Sequence, residues 1–303
     1  MEGHIPVLCQ SVLRFFRGQQ GVLLDGTFGG GGHSQALLEN NPDLSIVALD
    51  QDPEAKNRSV FLKQRFGNRF TFHGINFSEL GTLELSFTGI LLDLGLSSFQ
   101  LDCAQRGFSF SKSGPLDMRM NPDKGISAKD FLHQANKEEL TQAIRDYGEE
   151  PQWRSVVEGV LRYRDNETWN TTTELVRFLE EKTTLYRSKK PGIHFATRVF
   201  QGLRIWVNQE LKHLQLGLIA GFQALTSNGL FAVISFHSLE DRIVKKQFNE
   251  WCGRSIDRND ARPQQLKIVQ AQRVTTKPIQ ASEEEIASNP RSRSAKLRII
   301  RKL

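Results

Sequence analysis

A strand that runs into a glycine-rich turn is the feature that most constrains the fold of this chain. The apolar run Val22 to Leu24 leads directly into Asp25-Gly-Thr-Phe-Gly-Gly-Gly-Gly-His-Ser34, and a helix-like segment follows to Leu38. In α/β proteins a strand, a glycine turn and a helix start bring backbone N–H groups against a ligand. Glycine is needed there because a Cβ atom would block close approach and positive φ angles.

A second apolar run ends in an acid at the spacing expected of a ribose-binding residue. The run Leu44 to Leu49 leads to Asp50, which lies 24 residues after Gly26. A carboxylate at this position can accept hydrogen bonds from two ribose hydroxyls, so the pair predicts a cofactor that contains adenosine. The pattern alone does not choose among such cofactors.

The charge balance favours a phosphate-rich partner. The chain has 40 Lys and Arg against 34 Asp and Glu, a net charge of +6. Residues 289–303 contain no acid and carry six basic residues, namely Arg291, Arg293, Lys296, Arg298, Arg301 and Lys302. Such a cluster favours binding to nucleic acid, with a merely solvated chain end as the alternative.

The spacing of the cysteines indicates a reducing compartment, and the N-terminal residues do not resemble a signal peptide. Cys9, Cys103 and Cys252 are far apart, and neither they nor the seven histidines have a metal-binding spacing, so we predict no metal site. Residues 1–6 lack the apolar core of a signal peptide, and no apolar run approaches the roughly 20 residues of a membrane span. We expect a cytoplasmic protein that does not associate with a membrane.

Strands and helices alternate in the first third of the chain, which predicts a parallel sheet with right-handed crossovers. Asp52 caps a predicted helix, with Pro53 at its first position. Strand character returns after residue 205. The predicted strands are Val22 to Asp25, Ser45 to Asp50, Phe70 to His73, Gly89 to Leu94, Gly229 to Ser235 and Ala295 to Ile300.

Between these α/β segments the sequence is polar and helix-like. Asn136 and Glu139 have the spacing of a capping box, and a helical pattern runs from Thr197 to Leu211. We therefore predict a core formed by residues 1–104 and 206–303, interrupted by a helical insertion domain at 105–205. Within the second core segment, a helix begins at Ser238, and Arg254 to Arg273 is predicted to be a long loop.

Polar residues or glycines follow five of the predicted strands, and together they predict a ligand site. Carboxyl ends of parallel strands meet at one edge of a sheet, where ligands of open α/β sheets bind. Singly, Asp50 is also compatible with a helix cap, Phe77 with the core, Asp93 with a turn and His237 with a buried structural role. The five segments that follow the predicted strands are Asp25 with the glycine turn, Asp50, Asn76-Phe-Ser78, Asp93-Leu-Gly-Leu-Ser-Ser98 and Ser235-Phe-His-Ser238.

Several long motifs resemble one family throughout the chain. The chain is similar to the bacterial small-subunit 16S rRNA (cytosine-N4) methyltransferases, called RsmH or MraW. Beside the glycine turn, the matching segments are His4-Ile-Pro-Val-Leu8, Asp93-Leu-Gly-Leu-Ser-Ser-Phe-Gln-Leu-Asp102, Arg106-Gly-Phe-Ser-Phe110, Gly114-Pro-Leu-Asp-Met-Arg-Met120, Ile234-Ser-Phe-His-Ser-Leu-Glu-Asp-Arg242 and Asn289-Pro-Arg-Ser-Arg-Ser-Ala-Lys-Leu-Arg298. They occur in the family's order over essentially the full length.

The resemblance implies a class I, Rossmann-like S-adenosylmethionine-dependent methyltransferase with an inserted helical domain for substrate recognition. It implies S-adenosyl-L-methionine as the cofactor. The cofactor contacts carried over to this chain are Gly31, Gly32, His33, Asp50, Phe77, Asp93 and Gln100. The family often has a larger residue where this chain has Gly30, a change that removes no contact.

The implied reaction methylates the exocyclic N4 of a cytidine in 16S rRNA near the ribosomal P site, within the small subunit. The sequence leaves the catalytic group open: Ser97, Asp117 and His237 are the candidates, with Ser98 and neighbouring carbonyls as further acceptors for N4. Asp117 is equally suited to pair with Arg119 in a turn. The helical insertion, including Tyr186-Arg-Ser-Lys-Lys190, and the basic C-terminal segment are expected to contact RNA.

Two other functions use the same sheet. A nicotinamide-dependent dehydrogenase fits poorly, because the GxGxxG pattern matches Gly26 to Gly31 only loosely and no hydride-transfer residues are evident. A non-catalytic factor that binds S-adenosylmethionine and RNA remains the alternative function. Cofactor titration separates the dehydrogenase from both others, and turnover on RNA separates the enzyme from the binding factor.

Overall fold

The computed structural model describes residues 5–183, 194–257, 260, 262–263 and 267–303. The chain divides into two compact units. The first comprises Met1–Leu96 and Leu211–Leu303, and the second comprises Ser97–Glu210. The sequence places the corresponding boundaries after residue 104 and after residue 205, and the role of the insertion in substrate recognition stays a prediction.

The first unit is built on a seven-stranded sheet. The strands are β1 (Gly21–Asp25), β2 (Leu44–Leu49), β3 (Phe70–His73), β4 (Phe87–Asp93), β5 (Leu225–Ser235), β6 (Ala271–Arg273) and β7 (Lys296–Lys302). Their order is β3-β2-β1-β4-β5-β7-β6, parallel from β3 to β5, with β7 antiparallel to both of its neighbours. The 3-2-1-4-5 part is the order of doubly wound sheets, which confirms the predicted Rossmann-like class.

The helices divide between the two units. Those of the first unit are α1 (Cys9–Phe15), α2 (Gly32–Asn40), α3 (Pro53–Phe66), α10 (Glu210–Ala224, from residue 211 onwards), α11 (Ser238–Trp251) and α12 (Glu283–Ser288). Those of the second are α4 (Ser98–Asp102), α5 (Ala128–Gln134), α6 (Lys137–Thr141), α7 (Trp153–Tyr163), α8 (Thr172–Lys182) and α9 (Thr197–Val207). Within the described ranges, none of the helices has the length and apolar character needed to cross a membrane.

The strands are apolar because both faces of the sheet are buried. On β1, Leu23 packs into the cluster on one face and Leu24 into the cluster on the other, and both are fully buried. Leu91 and Leu92 alternate in the same way on β4. Neighbouring side chains of a strand point to opposite faces, so a strand covered on both sides has a continuous apolar run.

The structure corrects two of the predicted segments. The helix predicted from Thr197 to Leu211 is broken at Gln209, where φ is 48°, and α10 then begins at Glu210. The predicted loop from Arg254 to Arg273 ends in the strand β6, which has three residues and pairs only with β7. So short an edge strand gives no recognisable period in the sequence.

The second unit is helical and is organised by reciprocal caps. The predicted capping box at Asn136 and Glu139 is confirmed: each side chain accepts a hydrogen bond from the other's backbone N–H, both at 2.9 Å. Thr171 and Glu174 form an equivalent box at the start of α8. A π-helical turn, Gln142–Tyr147, packs on α9. The two elements are so close that a Cβ at Gly202 of α9 would have no space beside the Ala143 carbonyl.

Of the six basic residues near the C-terminus, Lys296, Arg298 and Lys302 are partly buried and bind other groups of the first unit. Arg298 Nε and Nη2 donate to Asp241 of α11 at 2.7 and 3.1 Å, and Lys296 Nζ lies 3.4 Å from the same carboxylate. Burial raises the pKa of Asp241, but Arg298 and Lys296 outweigh it and hold that pKa below its usual value. Lys302 Nζ donates to the carbonyls of Phe222 and Leu225. The exposed members of the set are Arg291, Arg293 and Arg301.

Arg298→Ala is expected to destabilise the first unit, because it leaves the half-buried Asp241 carboxylate without its bidentate partner. The expected loss in the free energy of unfolding is about 3 kcal/mol. Urea denaturation measures it, with Arg301→Ala on the same strand as the control, for which about 0.5 kcal/mol or less is expected. Equal effects of the two substitutions would contradict a structural role of the Arg298 pair.

Candidate cofactor site

Backbone hydrogen bonds fasten the glycine turn, which continues from β1, to two further strands. The turn begins at the end of β1, and the N–H of Gly26 donates to the Leu91 carbonyl of β4 at 2.9 Å. The N–H of Phe28 donates to the Leu49 carbonyl of β2, also at 2.9 Å. The sheet order reverses between β1 and β4, and this is the place where doubly wound folds bind ligands.

Two glycines of the turn are required by their packing. Gly31 caps α2 with φ 76°, and a Cβ there would lie 2.6 Å from the ring of Phe28. A Cβ at Gly32 would lie 2.6 Å from Pro6 of the N-terminal segment. The N-terminus of α2, which follows Gly31, favours a partner with negative charge.

Asp25 is a buried acid that holds the turn against α2. Its Oδ2 accepts a hydrogen bond from Ser34 Oγ at 2.6 Å, and its Oδ1 accepts one from the Thr27 N–H at 3.2 Å. Burial raises the pKa of Asp25, although the Ser34 hydroxyl opposes that shift. Only 1% of Asp25 is exposed, so its role is to shape the turn.

Asp50 follows β2 and faces the turn from the other side. Its Oδ2 accepts from the Gly29 N–H at 2.7 Å and its Oδ1 from the Asp52 N–H at 2.9 Å. Burial raises the pKa of Asp50 to about 6, against the opposing effect of those two N–H groups. Each carboxylate oxygen retains a second lone pair, so the residue can still accept two ribose hydroxyls.

The buried His33 and the partly exposed Asp93 form a pair beside the turn. His33 Nε2 lies 3.4 Å from Asp93 Oδ2, and the Asp93 N–H donates to Thr27 Oγ1 at 2.6 Å. Burial lowers the pKa of His33, but the carboxylates of Asp93 and Asp25 outweigh it and the pKa is raised. Asp93 Oδ1 is buried without a hydrogen-bond partner among the described residues, which points to a ligand that donates to it.

Phe77 lies after β3 at the start of a short 3₁₀ helix, Phe77–Leu83. Asn76 caps this helix: its side-chain oxygen accepts from the Ser78 N–H at 2.9 Å, and its Nδ2 donates to Gln51 Oε1 at 3.0 Å. The cap therefore ties Phe77 to the residue that follows Asp50. The predicted adenine-binding and ribose-binding residues are held next to each other in this way.

His237 follows β5 and pairs with an acid that sequence reasoning missed. His237 Nε2 lies 3.2 Å from Glu240 Oε1, and Glu240 Oε2 accepts from the Phe236 N–H at 2.8 Å. Only 3% of Glu240 is exposed. The signal that was available is its place as the third residue of α11, where an acid caps the helix start.

The remaining predicted site residues belong to the second unit. Ser97 and Gln100 form a capping box at the start of α4: Ser97 Oγ accepts from the Gln100 N–H at 3.2 Å, and Gln100 Oε1 accepts from the Ser97 N–H at 3.0 Å. Asp117 accepts from Arg119 Nε and Nη2 at 2.8 and 2.7 Å. Although burial raises the pKa of Asp117, Arg119 lowers it overall. The predicted RNA-binding segment 186–190 lies outside the described residues.

A model of the MraW methylase family matches residues 1–303, which is the whole chain. The chain belongs to the MraW methylase family. The resemblance expected from the sequence is thus confirmed, while the roles of the glycine turn, Asp50 and Asp93 stay predictions.

Three curated relatives are similar to this family member over 98% or more of their own length. A protein named ribosomal RNA small subunit methyltransferase H from Ehrlichia canis is 40% identical over 99% of this chain and 100% of its own length. The protein of the same name from Syntrophotalea carbinolica is 44% identical over 99% and 98%. A third, from Heliobacterium mobile, is 41% identical over 99% of both chains.

If Asp50 binds ribose hydroxyls as the sequence predicts, cofactor affinity depends on its ionisation. Binding favours the carboxylate, so affinity is full above pH 6 and falls as the pH drops through about 6, by up to about tenfold per pH unit. Calorimetric titration of S-adenosylhomocysteine from pH 5 to 8 measures this. Asp50→Asn should bind weakly and without that pH dependence, whereas Asp43→Asn, at an exposed position, should behave like the native chain. A pH-independent affinity of the native chain would contradict the role.

Proposed function

We propose that this methylase transfers a methyl group from S-adenosyl-L-methionine to small-subunit rRNA, at the exocyclic N4 of a cytidine of 16S rRNA within the small ribosomal subunit. A substrate of this kind implies a cytoplasmic location. One observation supports the proposal most strongly. In this family member, the glycine turn, Asp50 and Asp93 meet at the ends of β1, β2 and β4.

The residues present fit S-adenosyl-L-methionine. The turn is free of Cβ atoms at Gly31 and Gly32, and a buried carboxylate oxygen of Asp93 awaits a donor such as the ammonium group of the methionine moiety. We assign Asp50 to the ribose and Phe77 to the adenine. The backbone at the start of α2, including that of His33, is assigned to the methionine end of the cofactor. Gln100 is a further predicted contact from the second unit.

When bound, the cofactor supplies a methyl group on a positively charged sulfur that leaves as a neutral thioether, so the transfer itself needs no further activation. The difficulty lies with the nucleophile, because the N4 lone pair is delocalised into the cytosine ring. The protein must hold N4 in line with the methyl group and accept hydrogen bonds from its amino protons. It must also take up the proton that N4 loses.

His237 is the candidate that we favour for this role. Asp117 is bound by Arg119 and its pKa is lowered, which makes it a weak base, and the Ser97 hydroxyl caps α4. His237 Nε2 lies 3.2 Å from Glu240 Oε1 and makes no hydrogen bond in the described part of the chain, so neither tautomer of the ring is fixed and either nitrogen can accept a proton. Nδ1 is buried with no partner in the described part of the chain. β5, which precedes His237, pairs with β4, which ends at Asp93.

The test of the function is transfer of tritiated methyl groups to small subunits that lack the modification, followed by nucleoside analysis. We expect label in N4-methylcytidine. His237→Asn should lower the single-turnover rate about 10²- to 10⁴-fold while leaving the affinity for S-adenosylhomocysteine unchanged. Ser97→Ala is the control and should retain most of the rate. Full turnover by His237→Asn would remove His237 from the mechanism, and cofactor binding without transfer would favour a non-catalytic RNA-associated factor.

Among the C-terminal cations, the exposed ones are expected to bind rRNA phosphates. The double substitution Arg291→Ala with Arg293→Ala should weaken binding to 16S rRNA and reduce the slope of log affinity against log salt by about 2, because each phosphate contact contributes about one. Filter binding at several salt concentrations measures the slope. A double substitution at two other exposed cations, Arg17 and Lys56, removes the same charge and should leave the slope unchanged. Equal slopes for both double variants would contradict the assignment.

A further inference from the structure

Gly217 of α10 lies against the ring of Phe77, at a place where no side chain fits. A Cβ added to Gly217 would overlap Phe77 Cδ2 and lie 2.5 Å from Cε2, while Cγ is 3.5 Å away. Because the two nearest atoms form one edge of the ring and Cγ is farther, the ring meets the helix with its edge. The contact therefore fixes the plane of the ring without covering its faces.

The same face of α10 also holds the residue next to Phe77. His213 lies one helical turn before Gly217, and its Nδ1 is 2.8 Å from Ser78 Oγ. Asn76 holds the other side of Phe77 through the Ser78 N–H and Gln51. The short 3₁₀ helix is thus fixed between α10 and the segment after β2.

From these contacts we infer that Gly217, with His213, positions Phe77 so that a face of its ring stacks on the adenine of the cofactor. Gly217 and His213 are positioning residues, since they act through Phe77 and Ser78. The inference rests on the proposed function, in which Phe77 binds adenine. It adds that α10, which begins where the second unit ends, determines the affinity for the adenosine part of the cofactor.

The glycine itself supports this role. Glycine in the middle of a helix costs stability relative to alanine. Gly217→Ala would therefore stabilise α10 if no neighbouring residue lay against this position. Its packing requirement differs from that of Gly221, one turn later, whose Cβ would meet Phe231 at 2.9 Å in the core of the sheet. The two glycines thus serve different neighbours on one helix.

The test compares Gly217→Ala with two glycine controls. Gly217→Ala should weaken S-adenosylhomocysteine about tenfold or more, and should weaken adenosine by the same factor, because stacking concerns the base alone. Gly81→Ala lies in the same 3₁₀ helix as Phe77, and a Cβ there meets no described atom within 4 Å, so both affinities should be unchanged. Gly221→Ala should lower the melting temperature while leaving the ratio of the two affinities unchanged.

A double-mutant cycle separates positioning from general packing. Phe77→Ala should weaken both ligands, and adding Gly217→Ala to it should cause no further loss, since the ring that the new methyl group displaces is gone. Asp93→Asn should weaken S-adenosylhomocysteine but not adenosine, which lacks the methionine part. Unchanged adenosine affinity in Gly217→Ala, or full additivity with Phe77→Ala, would overturn the inference.

The proposed function fails in a different way from this inference. If the native protein binds S-adenosylhomocysteine and methylates small subunits, but Gly217→Ala binds both ligands normally, only the inference is wrong. If the native protein binds neither ligand, the proposed function is wrong and the inference falls with it. Circular dichroism of each variant confirms that the comparison is made on folded protein.

Discussion

The site depends on the hydrogen bonds that hold the glycine turn to the strand ends. Gly26 and Phe28 donate to carbonyls of β4 and β2, and Thr27 accepts from the Asp93 N–H. Three consecutive residues of one turn therefore set the spacing of three strands at the edge where the ligand binds. Because the buried Asp25 carboxylate ties the turn to α2 as well, the backbone N–H groups at the helix start are held in place before any ligand arrives.

Residues 5–8 and residues 285–289 meet beside this turn. Pro6 packs against Gly32, the Leu8 N–H donates to Glu285 at 2.6 Å, and Asn289 Nδ2 donates to the Ile5 carbonyl at 2.9 Å. The N-terminal and C-terminal family motifs are thus parts of one contact rather than separate features. The two motifs are far apart in the sequence, and neither has a pattern that predicts contact with the other, so this contact could not be predicted from the sequence.

The sequence alone predicted six of the seven strands and the carboxylates at the edge of the sheet, because an apolar run followed by a polar residue marks both the strand and its end. It also predicted the cap of α3, where Asp52 accepts from the Glu54 N–H at 3.1 Å. It did not predict the pairing of His237 with Glu240 or of Arg298 with Asp241. The residues of these pairs are visible in the sequence, but burial and orientation decide which side chains pair inside the protein and which are exposed to solvent. For that reason the six C-terminal cations form one basic cluster in the sequence, whereas in the structure three of them are partly buried and three are exposed.

The most direct measurement is a crystal structure of the protein with S-adenosylhomocysteine. We expect ribose hydroxyls within hydrogen-bond distance of Asp50, the amino group of the homocysteine part at Asp93 Oδ1, and the adenine on a face of Phe77. The backbone of the glycine turn should move little, since its hydrogen bonds to β2 and β4 exist without the ligand. A ligand bound away from the ends of β1, β2 and β4, or a turn whose hydrogen bonds to β2 and β4 change on binding, would show that this turn is not a preformed cofactor site.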